Sequence, residues 1–347
     1  MSKRSTNLGI NRRQFVAAAT LAATAAAGDR ETAAGQAAPG RADSAPRPDR
    51  EGTKKEPEGP KTRLRLHVVG SGVPPPTRTR HGSAFLLQVN GEYLMVDCGP
   101  GTTTKMAKMG IGPKSVNHVF LTHHHFDHNV DFPCFALVRW DLCHGREPPL
   151  RVYGPPPTRS FVERLIGPQG VFFPDVNARV KHPVSVMLFR GRGGEPPRPA
   201  PCFEARDVDA GNVEQSDAWS VTAARVHHVE PWLVSLAYRF DTPQGSIVFA
   251  GDCGDCPELR ELARDADTLV IACVCFGTAE KYQGIINGTQ EVGAIAKAAG
   301  VRRVVLTHAP PGFASPSGKE RAIGLVGEMF GGEVLFPEEL TSVDLSC

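Results

Sequence analysis

Residues 121–129 read LTHHHFDHN, which puts four histidines and one aspartate in nine positions. Imidazole and carboxylate groups are the side chains that hold zinc, with iron and manganese as further candidates. In an extended loop His123 and His125 alternate toward one side, and Asp127 and His128 turn toward a second position. His124 lies between them and points away. Three more segments offer the same chemistry: Asp252 in IVFAGDCG, His308 in VVLTHAPP, and His227 or His228 in RVHHVEP. Each follows a run that reads as a strand, and open α/β architectures place ligands at strand ends. A lone strand-end histidine is usually structural, but four such segments in one chain point to a metal site. Two metals about 3.5–4 Å apart need a bridging carboxylate, and Asp252 is the candidate.

The elements that must position these groups are legible in outline. RLRLHVVGSG is a strand running into a glycine turn, and AFLLQV and YLMVDCG form a hairpin around Asn90-Gly91. TTTKMAKMG reads as a helix stopped by Gly110, VNHVFLT as a buried strand and RVYG as a short one. WSVTAARVHH, VSLAYRFDT and GSIVFAGD are strands, and PELRELARDA is a helix with Pro257 in its first turn. TLVIACV is a strand, TQEVGAIAKAAG a helix capped by Thr289 and stopped by Gly300, and RVVLTHAP a strand. KERAIGLVGEMFGG is a last helix before EVLF. Residues 154–217 are rich in Pro and Gly and carry no clear period. Strands followed by strand–helix alternation, twice over, predict an α/β chain of two packed mixed sheets with helices outside.

The ends and the composition set the context. Residues 1–30 hold the pair Arg12-Arg13, then Phe15 and an Ala-rich stretch ending near Ala27, the layout of a twin-arginine export signal. Residues 31–61 read as a disordered linker, leaving a catalytic domain over 62–347. A net charge of +2 gives no general reason to expect nucleic acid, and Arg159, Arg164, Arg179, Arg190 and Arg192 are scattered among prolines and acids. The nine cysteines do not read as a disulfide framework, because a twin-arginine substrate matures before export. Cys253-x-x-Cys256 with Cys273-x-Cys275 departs from a zinc knuckle and reads as buried thiols.

HHHFDH fits the H-x-H-x-D-H signature of the metallo-β-lactamase superfamily, and DCGPG, FAGD and LTH resemble its other motifs. The resemblance runs from Thr62 to the C-terminus and implies an αββα sandwich. It implies one metal on His123, His125 and His228 and another on Asp127, His128 and His308, with Asp252 bridging and Asp97 fixing the histidine loop from behind. Asp252 stands where a typical β-lactamase of the best-known subclass has cysteine, which disfavours antibiotic hydrolysis. Residues 70–87 and 235–252 resemble the ribonuclease Z and arylsulfatase-like branch. One departure stands out: where ribonuclease Z has a His-Glu pair, this chain has Ala272 and Cys273.

The expectation is an exported, periplasmic or secreted hydrolase with two zinc ions, cleaving an aryl sulfate, phosphodiester or related ester with a metal-bound hydroxide. Asp127 orients the nucleophile and carries its proton, and His308 or the second metal helps the leaving group. The alternatives are a ribonuclease Z-type phosphodiesterase or endonuclease, and a lactonase or thioesterase. A small-molecule ester is the expected partner. Nucleic acid is not expected, nor stable membrane insertion once the signal is cleaved, and a homodimer is compatible with the chain.

Overall fold

The computed structural model describes residues 63–313 and 315–346; the export signal and the linker expected before them lie outside the described residues. Fourteen strands form two seven-stranded sheets among the described residues. The first has the order β14-β1-β2-β3-β4-β5-β6. Its members are β1 (Leu64–Gly70), β2 (Ala84–Val89), β3 (Glu92–Val96), β4 (Val116–Phe120), β5 (Leu150–Gly154), β6 (Phe203–Asp207) and β14 (Thr341–Asp344). The second has the order β13-β12-β11-β10-β9-β8-β7. It is built from β7 (Gly211–Gln215), β8 (Ser220–Val226), β9 (Ser235–Thr242), β10 (Gly245–Phe249), β11 (Thr268–Ala272), β12 (Arg303–Thr307) and β13 (Glu333–Leu335).

Both sheets are mixed. The β2–β3 hairpin closes through Asn90 and Gly91, both at positive φ as a tight turn requires. β4 then pairs parallel with β3, and β10, β11 and β12 run parallel to one another. Leu66, Leu87, Phe120 and Tyr153 of the first sheet interlock with Tyr238, Phe240, Ile247 and Phe249 of the second. A separate layer packs the first sheet on α1 (Thr102–Lys108), α3 (Phe132–Leu142) and α4 (Thr158–Ile166). A third packs the second sheet on α7 (Pro257–Leu262), α8 (Thr289–Ala299) and α9 (Pro316–Phe330). The result is the expected order of helix, sheet, sheet, helix.

Phe120 ends β4 immediately before the histidine loop. Its ring stacks on Tyr153 at 4.9 Å and meets Phe240 and Tyr238 edge-on at 5.1 and 5.7 Å. Truncating such a side chain costs about 3–5 kcal/mol, so the base of the loop is fixed by the centre of the core. Two readings of the sequence change. The α8 N-cap is Gly288, whose N–H donates to Glu291, so Thr289 is the first helical residue. The stretch 154–217 holds α4, α5 (Phe173–Lys181), α6 (Pro183–Gly191), β6 and β7. Among the described residues no helix is long and apolar enough to cross a membrane.

Candidate metal centre

The histidine loop leaves β4 and turns through α2 (Phe126–Asn129), a single helical turn that carries Asp127 and His128. It is anchored from both sheets. Leu236 of β9 donates its N–H to the Thr122 carbonyl at 2.9 Å, and the Tyr238 hydroxyl donates to the Leu121 carbonyl at 2.9 Å. From below, Asp97 collects the loop. One carboxylate oxygen accepts from the Thr122 N–H at 2.8 Å; the other lies 2.7 Å from His128 Nδ1 and accepts from Ser83 Oγ at 3.1 Å. Asp97 holds this position at φ +59°, a conformation that non-glycine residues adopt at a cost. Gly99 lets the chain pass beneath: a β-carbon there would stand 2.2 Å from the Asp127 carbonyl oxygen.

The other segments arrive at the same edge. Asp252 follows β10, His308 follows β12 at φ +54°, and His228 follows β8. Three sets of potential ligand atoms each lie within 4.8 Å of one another: His123, His125 and His228; His123, His128 and Asp252; and Asp127, His128 and His308. All seven sequence-predicted residues are therefore brought together. His123 Nε2 is 2.9 Å from His125 Nδ1, which is 3.3 Å from His228 Nε2. His308 Nε2 is 2.9 Å from Asp252 and 3.4 Å from Asp127. Asp252 thus stands between the two groups.

His227 and His124 stand apart. His227 is half-exposed and faces Glu230 at 3.3 Å, whereas His228 is buried with Nδ1 2.8 Å from the Ile285 carbonyl. His124 turns outward, with Nε2 2.9 Å from Thr158 Oγ1. The four cysteines Cys253, Cys256, Cys273 and Cys275 carry no disulfide. None joins a candidate metal group among the described residues, and the first three lie in the core behind the second sheet.

The arrangement asks for cations. His128 Nε2 is fully buried and has no hydrogen-bond partner, with Asp127 and Asp252 oxygens no nearer than 3.6 Å. Burial alone would lower the basicity of His128, but Asp97 and Asp252 outweigh it and hold the imidazole well above its usual range. His308 is likewise raised to about 9 against its burial, by Asp252 and by its contact with Asp127. Both shifts have the same cause, buried carboxylates whose charge a divalent ion would balance. His123, by contrast, is held well below its usual range by burial and by His128, so it presents a neutral ring. Nitrogens sharing one tetrahedral zinc lie about 3.3 Å apart, given Zn–N of roughly 2.0–2.1 Å, and the His123, His125 and His228 spacings are of that size.

Some contributors carried no sequence signal. Thr122 and Ser83 hold Asp97, and the Ile285 carbonyl aims His228; a hydroxyl or a carbonyl has no spacing signature. Above the ligands opens a cleft of about 290 Å³ whose walls are Val73, Pro74, Val274, Tyr282, Ile285 and Ile286. Cys273, at the place expected of a glutamate, is buried away from it, and Val274 faces the cleft instead.

Residues 92–309 match the family model described as a beta-lactamase superfamily domain. A ribonuclease Z of Mycobacterium marinum is 28% identical over 291 residues, spanning 81% of this chain and 99% of that one. The metallo-beta-lactamase fold protein YhfI from Bacillus subtilis superposes with a TM-score of 0.62 at 18% identity, over 82% of this chain and 99% of the other. The short form of human tRNase Z superposes with a TM-score of 0.58 at 18% identity, over 82% and 100%.

Proposed function

Since the chain belongs to the beta-lactamase superfamily and is a metal-dependent hydrolase of ester bonds, we propose that it hydrolyses phosphodiesters in the manner of ribonuclease Z, holding two zinc ions. The observation that carries this reading is the complete ligand set with a carboxylate, Asp252, shared between its halves. The relatives named ribonuclease Z favour it over the aryl-sulfate reading, and they weigh against excluding nucleic acid as a substrate. His123, His125 and His228 would hold one ion and Asp127, His128 and His308 the other. The ions supply a Lewis acid for the ester oxygen and lower the pKa of a water. With the ions bound, Asp127 would orient the attacking water with the carboxylate oxygen not given to the ion, take its proton and return it to the leaving oxygen, while His308 would hold the ion beside it. Asp97 keeps His128 in one tautomer and orientation throughout.

One observation supports a second reading, hydrolysis of small aryl esters. The cleft wall is apolar and has no carboxylate at the Ala272–Cys273 position to protonate a poor leaving group. Aryl leaving groups need less help. A panel decides between them: bis-p-nitrophenyl phosphate, p-nitrophenyl sulfate, an aryl lactone and a precursor tRNA, with metal content measured alongside. Phosphodiester turnover far above sulfate and lactone turnover is expected. Asp127→Asn should lower it by about 10²–10⁴-fold. Turnover of sulfate or lactone alone would replace the first reading with the second. Full activity in metal-free protein would end both.

A further inference from the structure

The edge of the first sheet remote from the ligands holds a second cavity, of about 180 Å³. It lies between the C-terminal half of α3, the starts of β5 and β6, and the turn at residues 198–203. α3 begins just after the histidine loop, and the cavity lies along it from Ala136 to Cys143, roughly 6 to 16 Å from the helix start. Most of its wall is apolar, yet two arginines line it, and each is only 5% exposed.

Neither guanidinium is fully balanced. Arg139 donates to the Val116 and Pro148 carbonyls and to Asn117 Oδ1, at 2.8, 3.0 and 2.7 Å. All three acceptors are neutral, and among the described residues no carboxylate lies within 4 Å of it. Arg198 stacks over Trp140 at 4.1 Å and donates to Asp141 at 2.8 Å, but its Nε is buried with no partner. Asp141 is also shared with Arg179 and Arg192, so one carboxylate serves three guanidiniums. Glu147 reaches the cavity wall, but its oxygens are taken by the His144 and Arg146 N–H groups. The Cys143 thiol, pushed up by burial, brings no negative charge.

A guanidinium keeps its charge under any condition a protein meets, and a buried charge without a counter-ion is costly. We propose that this cavity binds a small organic anion, a flat apolar body bearing one carboxylate, of about the size of benzoate. The guanidinium fork matches a carboxylate. Trp140, Phe189 and Phe203 line the wall, and Arg198 lies over the first two rings, so a flat body would meet apolar surface beside a guanidinium. A cavity of about 150 Å³ is enough for one benzene ring. The apolar majority of the wall disfavours a small hydrated anion such as phosphate.

Titration calorimetry of the full-length, metal-loaded protein with sodium benzoate, benzyl alcohol and inorganic phosphate tests this. Saturable one-to-one binding of benzoate is expected, at least tenfold tighter than either control. Arg139→Met should weaken benzoate at least tenfold without altering ester turnover. In the unaltered protein, benzoate should not compete with an ester substrate, a result that stands even if Arg139→Met fails to fold. No saturable binding at millimolar benzoate would overturn the proposal. So would equal binding of benzyl alcohol, unchanged affinity in Arg139→Met, or competition with substrate, which would put benzoate at the metal centre.

Discussion

His227 and His228 are neighbours in sequence with the same side chain, and β8 ends between solvent and the site. The strand's alternation decides between them: Val226 and His228 fall on the buried side, and His227 falls outside and meets Glu230. His228→Ala should therefore lower kcat/KM by about 10²-fold or more and reduce the metal bound per chain, while His227→Ala should leave both within about twofold, surface changes being nearly neutral. Elemental analysis and turnover on the purified variants check this, and equal losses would show that the two histidines share one role. Ligands of this kind were readable in the sequence because chemistry restricts them to a few residue types at strand ends. The groups that aim them were not. Thr122, Ser83 and the Ile285 carbonyl act through positions that only the folded chain defines.

The least legible elements lie between residues 154 and 217. β6 and β7 are half-exposed outer strands with little apolar alternation, and α5 and α6 each have a proline in the first two positions and are only nine residues long. What fixes this region is charge as much as packing. Arg179 of α5, Arg192 just beyond α6 and Arg198 all reach Asp141 at the end of α3. Although burial pushes the other way, hydrogen bonds from Arg198 and Arg192 hold Asp141 down at about 2, below an ordinary 3.8. A depressed carboxylate stabilises the fold above its unfolded pKa and loses that contribution as pH falls through its folded value. Asp141→Asn should thus cost about 1–3 kcal/mol at pH 7, by stranding the buried Arg198. The gap between variant and parent should close from pH 4 toward pH 2 in denaturant titrations. A gap that stays constant across that range would show that Asp141 acts by shape rather than charge.

At the scale of the molecule, the four layers follow from the order of apolar runs, which is why they could be read in advance. β14 could not, being four residues long and polar. The layers converge on one edge, where carboxylates and imidazoles from both sheets crowd together. Removing metal should therefore loosen the whole domain. At ion concentrations about 100 times Kd, binding contributes about 2.7 kcal/mol, so a chelator should abolish turnover and lower Tm by roughly 5–10 °C. Calorimetric scans before and after metal is restored would measure this, and an unchanged Tm would mean that the folded chain holds ions no better than the unfolded one. Export remains a proposal resting on Arg12 and Arg13: replacing both with lysine should leave the protein in the cytoplasm, as fractionation would reveal.

β14 pairs with β1, and just before it Glu339 accepts the N–H groups of Ser71 and His81 and meets Lys105. Glu338 reaches the buried Arg80 in the same way. These contacts secure the loop that carries Val73 and Pro74 over the cleft. Ser71 and Glu339 are 268 residues apart, and a ribosome adds roughly 5–20 residues per second. For about a quarter of a minute to a minute of synthesis, then, the roof loop exists with nothing to fasten it. The nascent hydrolase is a tool whose latch follows its working parts: every ligand from His123 to His308 is translated before Glu338 and Glu339 can fasten the roof.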